Sequence, residues 1–505
     1  MDQETPTTND NLRSSADSFS SSILLIGVLM IVQRAIGFIR SFYVCEVLPP
    51  DEVGRWDLSF NFLMLAAPLA VLGIPGSFGR YIARYEESGQ VSRFFRNSVC
   101  VCLLLTALFC LGFWSFDQSL ARYFLGEASD DALARLLAVG LPAVVFFNFA
   151  ISWFTGRRLN RYVFRIQFVQ TLFFALLCVM FFAFRGPSAE SVIAAYLGSC
   201  VIGLLLSIGY RSASSESADA NVEGSIPIWR TVMPFAISAW AGDALMNLFA
   251  LCDRILLVNF HPDAGIESQF LVGQYHTACI FPLLLMTVGA MAASTGLPYL
   301  SKDWEAGKAD EVGSRVNLML KVVGAICVAA SAAILLLAPV LFGQLWKDKF
   351  SIGESLLPMT LAFCSLAAMG YLVQSFFWCI EKAWLGSVFL FVGLITNAVL
   401  GIVLVRFFGI HGVVASTFAA HAVVLTVALT YSYRRGLPFD SGVVFIGLLI
   451  PVICFGKWFA AAAFVGMILL TGCTDRIIDQ ETKQESIDRV RGLLRRMLSS
   501  RPAVS

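Results

Sequence analysis

Two arginines stand where a membrane-spanning helix would carry them at high cost. The stretch "QRAIGFIR" (33–40) follows "SSILLIGVLMIV" and precedes "SFYVCEVL", so Arg34 and Arg40 share one apolar segment. A charge at mid-bilayer costs at least about 2.5–3.5 kcal/mol on insertion scales, which makes such residues functional candidates. The chemistry open to a guanidinium there is to hold an anion through charge-assisted hydrogen bonds. Six residues turn a helix through about 600°, which leaves the pair some 120° apart around the axis and about 9 Å apart along it. They can face one cavity but cannot clasp one phosphate from the same face. Arg34 falls near the midpoint of the span. Arg40 falls nearer its far end, where snorkelling to the interface competes with anion binding.

Further charges follow in the seventh apolar segment. It ends "LFALCDRILL", with Asp253 and Arg254 near its close, and "SAWAGDALMN" sets Asp243 deeper inside. Asp253 either neutralises Arg254 locally or is an interfacial charge. Asp243 is either a proton or sodium site or a counter-ion to an arginine. His276, beside Gln274 at the start of the eighth segment, reads first as an interfacial hydrogen-bonder. His411 and His421 are too isolated for a metal site, and the 13 cysteines lie mostly in apolar runs without metal or redox spacing. No cofactor and no metal are expected. No phosphate-cradling glycine loop, metal-spaced His/Glu set or extended loop with paired carboxylates marks an enzyme.

The elements that must position these residues follow from composition. Of the 505 residues, 57% are hydrophobic and 14% charged, with mean hydropathy +0.75. Soluble domains run nearer about half apolar and about a quarter charged, so the chain reads as a membrane protein. A net charge of +1 and the lack of a basic groove argue against a nucleic-acid partner. Twelve segments, from 21–45 to 410–432, approach the roughly 20 apolar residues that a crossing needs. Residues 440–473 form one long crossing or two short ones.

Basic residues arbitrate. Arg80, Arg84, Arg93 and Arg96, then Arg157, Arg158, Arg161 and Arg165, then Lys302, Lys308 and Arg315, all fall on or beside even-numbered connections. The positive-inside rule then places the N-terminus in the cytoplasm. The seven basic residues after Cys473 belong on the same side, which requires an even number of crossings and favours fourteen. The expected fold is all-α, a polytopic membrane protein. Its expected segments are a disordered tail (1–20), an N-lobe (21–210), a Ser-rich linker (211–228), a C-lobe (229–432), two further helices (433–473) and a basic tail (474–505). That tail is either an amphipathic helix on the inner leaflet or a solvated stretch.

The two lobes rest on an internal echo. "VGRWDLSFNFLMLAAPLAVLGIPGSFGRYIARYEESGQ" (53–90) parallels "VGQYHTACIFPLLLMTVGAMAASTGLPYLSKDWEAGK" (272–308) at one constant offset. Val53-Gly54 aligns with Val272-Gly273, Trp56 with Tyr275, and Tyr85-Glu86 with Trp304-Glu305. The offset spans six crossings, so both halves enter the membrane in the same direction, as parallel repeats of a transporter do.

With these residues in view, "RAIGFIR" resembles the first-helix Arg-x-x-Gly-Phe-x-Arg stretch of MurJ-type lipid II flippases. Asp253-Arg254, "VGQY" (272–275) and "PYLS" (298–301) resemble the second-half hallmarks of the polysaccharide-transport branch of the multidrug/oligosaccharidyl-lipid/polysaccharide exporter superfamily. The resemblance implies a flippase of the cell inner membrane, working by alternating access on a polyprenyl-pyrophosphate-linked oligosaccharide. Membrane lipids, and glycosyltransferases or a polymerase of the same pathway, would be its partners. Arg34, Arg40 and Arg254 match the positions whose arginines bind the pyrophosphate in such flippases. The second helix departs from the pattern, with Asp57 and Asn61 where some flippases carry cations. Two other classes compete: a cation-coupled multidrug exporter of the same superfamily, for which Asp243 speaks, and a membrane glycosyltransferase or polymerase, which would need a larger outer loop than 117–133.

Overall fold

In the computed structural model of the chain, the described residues are 32–473, less 116–122, 125, 127–130, 214–227, 263–264, 266 and 383. The expected tails 1–20 and 474–505, most of the linker and most of the loop 117–133 lie outside them. Every regular element among the described residues is helical. Among the described residues nine helices are long and apolar enough to cross a membrane, or ten if a bent pair counts as one crossing.

α1 covers 32–47. α2 is Pro50–Ala70, and α3 is Phe78–Glu87, reached through a tight turn at Ile74–Ser77. These segments meet at 65°, because Leu72 and Gly73 adopt positive φ and Pro75 begins the new turn without a backbone donor. α4 (Val91–Ser115), α5 (Asp131–Gly156), α6 (Asn160–Arg185), α7 (Ala189–Ala213) and α8 (Ile228–Phe260) follow. α9 (Ser268–Ile280) runs almost directly into α10 (Pro282–Glu305), and then come α11 (Ala309–Pro339) and α12 (Ser351–Cys379). The helical stretch Trp384–Arg434 contains a non-helical residue, Gly409 (φ 56°, ψ −135°), which divides it into α13 (384–408) and α14 (410–434). α15 (Ser441–Val452) and α16 (Lys457–Cys473) are two short apolar helices separated by Gly456. The ambiguous segment 440–473 is therefore a pair.

The chain divides into two compact units, Met1–His276 and Thr277–Ser505. This cut differs from the expected lobes because α8 packs on α2 and on the turn at Ile74–Ser77. Gly73 permits that packing: a Cβ there would lie 2.3 Å from the Ala236 carbonyl oxygen. In the first unit α3 is pinned by aromatic rings. Phe78 meets Phe94, Phe149 and Trp153 edge-on, and Tyr85 stacks on Phe94 at 4.4 Å. Arg80 and Arg84 remain on its exposed side.

In the second unit α12 is the central helix, packed against α10, α11 and α13–α14. Its most apolar window is 78% buried, whereas windows at the periphery are about a fifth to a third buried, as expected for surfaces facing lipid. Lys321 of α11 pairs with Asp440 at 2.7 Å, and Asn317 donates to the Pro438 carbonyl. Asp440 also caps α15 by accepting from the Val443 amide, so a single carboxylate fixes where α15 starts.

Candidate functional site

α1 lies parallel to α6. Gln33 donates to Thr171, the Arg40 guanidinium sits 3.8 Å above the Phe174 ring, and Tyr43 meets Phe182, so both sequences rise together. Gln33, Arg40 and Tyr43 are spaced to share a face, and that face is the one turned to α6. Arg34, one residue past Gln33, is turned away and exposed. The expected angular separation of the two arginines thus becomes a division of environments. Arg40 donates weakly to Ser41 (3.4 Å), and its Nε is buried without a hydrogen-bond partner. Among the described residues neither Arg34 nor Arg40 has a carboxylate within ion-pair distance. A half-buried guanidinium with an aromatic face below it and a buried, unused Nε–H is arranged to receive an anion.

Arg254 is placed quite differently. Its Nε donates to Asp57 Oδ2 at 2.8 Å and its Nη2 reaches Oδ1 at 3.4 Å, a forked contact between α8 and α2. Nη1 donates to the Ala250 carbonyl, and the guanidinium lies 4.8 Å from the centre of the Tyr275 ring. Asp57 Oδ1 also contacts His276 Nδ1 at 2.6 Å and accepts from Asn61. Asp253 accepts from the Tyr275 hydroxyl. Asp57, Asp253 and Arg254 are all buried. At 1.5 Å per residue, Asp57, Arg254 and His276 lie about 10, 9 and 12 Å from the nearby ends of their helices, at one common depth. Arg254 belongs to the set on α2 and α9, whereas Arg40 packs on α6.

Close backbone approach brings the second cluster together. A Cβ on Gly54 of α2 would fall 1.8 Å from the Gln269 carbonyl oxygen, and one on Gly273 of α9 would fall 1.9 Å from that of Pro50. Only glycine at both positions lets the two helices cross so tightly. Three residues on from each glycine, Asp57 and His276 meet.

A family model described as "Polysaccharide biosynthesis protein" matches residues 20–304, more than half of the chain. The chain belongs to the polysaccharide biosynthesis protein family. Among solved structures, the lipid II flippase MurJ in an inward closed conformation has a TM-score of 0.68 at 13% identity, covering 88% of this chain and 97% of that one. An inward-facing multidrug resistance MATE family transporter of the MOP superfamily has a TM-score of 0.65 at 16% identity, with 80% and 94% covered. The outward-facing form of such a transporter scores 0.58, again at 16% identity, over 82% and 94%. No curated protein matches the chain. At these identities the likeness is one of fold, that of an all-helical multi-pass membrane protein.

In this polysaccharide biosynthesis protein, sequence reasoning missed Asp57 and His276 as a pair. The signal was within reach, because the two residues stand 219 positions apart. That is the separation of Val53 from Val272 and of Trp56 from Tyr275, so the aligned echo needed only one more column. Asp243 is exposed on α8 and forms no ion pair among the described residues. Arg55 bridges Glu52 of its own helix and Glu190 of α7. No group of three or more His, Cys, Asp or Glu among the described residues is placed to hold a metal ion.

Proposed function

We propose that this polysaccharide biosynthesis protein is a flippase that carries a polyprenyl-pyrophosphate-linked oligosaccharide from the inner to the outer leaflet of the cell inner membrane. Arg40 carries the reading: a half-buried guanidinium whose buried Nε lacks a hydrogen-bond partner, with no carboxylate in ion-pair distance among the described residues, is a positive charge that an anionic head group would satisfy. Arg34, exposed on the neighbouring face of α1, supplies a second cation for the same pyrophosphate as it enters or leaves. Arg254, the third arginine of the resemblance, is already held by Asp57, so α1 contributes the principal cargo-binding charges. The saccharide occupies the cavity of an alternating-access cycle while the polyprenyl chain stays in lipid. With both termini cytoplasmic, an inside-negative potential favours outward movement of the anion, by roughly 2.3 kcal/mol per charge per 100 mV when the full field is crossed.

The test is transport of a fluorescent short-chain polyprenyl-pyrophosphate saccharide by the full chain in proteoliposomes. Arg40→Ala and Arg34→Ala should each abolish or strongly reduce movement while the protein still inserts. Wild-type rates in both variants would remove α1 from the cargo site. Asp243, an exposed acid within the crossing formed by α8, favours a second reading as a cation-coupled multidrug exporter. Dye efflux that is lost in Asp243→Asn, with no movement of the pyrophosphate probe, would select that reading.

A further inference from the structure

A cavity of about 320 Å³ lies within the second unit, where α11 ends and α12 and α16 begin. Leu335 and Ala338 line it and are buried, Glu354 is half-buried, and Ser351, Ser355 and Lys457 are exposed. Two prolines give this cavity acceptors that helices rarely offer. Pro339 and Pro358 also line it, and neither has an N–H, so each leaves the carbonyl four residues earlier without its helical donor. Those carbonyls belong to Leu335 and Glu354, both residues of the same cavity wall. The Ser355 hydroxyl donates to the Ile352 carbonyl, and its oxygen also meets His411 Nε2 at 3.0 Å, so it can offer the cavity only a lone pair. A carboxylate, two under-bonded carbonyls and hydroxyl oxygens together suit a cation with several N–H donors, which a primary ammonium is.

Lys457 supplies the opposite sign. Among the described residues it forms no ion pair with Glu354 or with any other carboxylate, and its ammonium lies 5.8 Å from the centre of the Trp458 ring. An acid and a base that line one cavity without meeting fit a ligand that carries both charges. The neighbouring surface is apolar: Leu336 and Leu337 of α11 and Trp458 and Phe459 of α16 are exposed, as residues against lipid are. Ligand sites run from about 300 to 1,000 Å³, so this one has room for a head group and not for an oligosaccharide. We propose that the cavity binds the head group of a phosphatidylethanolamine. Glu354 and the carbonyls freed by Pro339 and Pro358 receive its ammonium, Lys457 receives its phosphate, and its acyl chains lie on the exposed apolar faces of α11 and α16. The proposed cargo has a pyrophosphate and no ammonium, so this site goes beyond the cargo reading and does not depend on it.

Native mass spectrometry of the full chain in detergent counts bound lipid during titration with dioctanoyl phosphatidylethanolamine. The matching phosphatidylcholine has no N–H on its ammonium, and the matching phosphatidylglycerol has no cation. Both should bind about tenfold or more weakly. Glu354→Gln should lower phosphatidylethanolamine to the level of phosphatidylcholine, and Lys457→Met should weaken all three lipids. Glycerophosphoethanolamine, the same head group without acyl chains, should compete poorly. Equal binding of the three lipids, or a preference that survives Glu354→Gln, would overturn the site. Competition by glycerophosphoethanolamine as strong as that of the lipid would overturn the lipid assignment in favour of a soluble zwitterion. If Glu354→Gln does not fold, the wild-type chain still decides. A photoreactive phosphatidylethanolamine should crosslink to the end of α11 and the first turns of α12, and labelling only elsewhere would overturn the proposal. Neither measurement contains cargo, so failure here leaves the flippase reading standing, and the transport assay tests that reading separately.

Discussion

Three arginines that look alike in sequence end in different electrostatic situations, and the difference predicts how each responds to mutation. Arg254 and Asp57 are a buried, forked pair, so Arg254→Ala strands a carboxylate away from water. Breaking a buried pair from one side costs about 3–5 kcal/mol, whereas removing both charges together costs much less. Thermal unfolding of the purified protein should therefore show Arg254→Ala well below wild type, and Asp57→Asn combined with Arg254→Gln above that single variant. Additive losses would mean that the two side chains are not coupled. Arg40 has no such partner among the described residues, so Arg40→Ala should change unfolding little and transport greatly. Arg40→Lys should restore transport only in part, because an ammonium retains the charge without the planar fork that stacks on Phe174.

Among the helices, the crossing of α2 and α9 is set by two glycines. Gly54→Ala and Gly273→Ala each insert a methyl group where a carbonyl oxygen stands less than 2 Å from the new atom. Overpacking of this kind costs about 1–3 kcal/mol, and here it also pushes Asp57 away from His276. Both variants should melt lower than wild type. Gly79→Ala on α3 is the control: nothing lies within 4 Å of its added Cβ, so its melting should be unchanged. Gly409 acts through the backbone instead. Its φ of 56° with ψ of −135° is open to glycine and strained for alanine, so Gly409→Ala should disturb the joint between α13 and α14 by about 1–3 kcal/mol. Melting of that variant at the wild-type temperature would show that the joint can relax.

For the molecule as a whole, the flippase reading makes drive by the membrane potential measurable. Transport of the anionic probe should rise with an inside-negative potential and fall when valinomycin and potassium collapse it; an unchanged rate would remove the potential as the drive. Much of the architecture was legible before any coordinates, for physical reasons. A bilayer demands long apolar helices, and 57% hydrophobic residues with basic clusters at alternate connections satisfy that demand in a way that composition alone reveals. The pairing of 440–473 as two short helices and the joint at Gly409 were less visible, because apolar runs do not record where a backbone turns. At the site, sequence alone determined that Arg34, Arg40 and Arg254 sit at costly places in apolar segments, and that the halves repeat at one fixed spacing. Tertiary structure decided the rest: Arg40 stacks on Phe174, Arg254 is claimed by Asp57, and Asp57 meets its own repeat-equivalent, His276. An ion pair between α2 and α8 joins residues 197 positions apart, and only the packing of those helices determines which charge becomes whose neighbour.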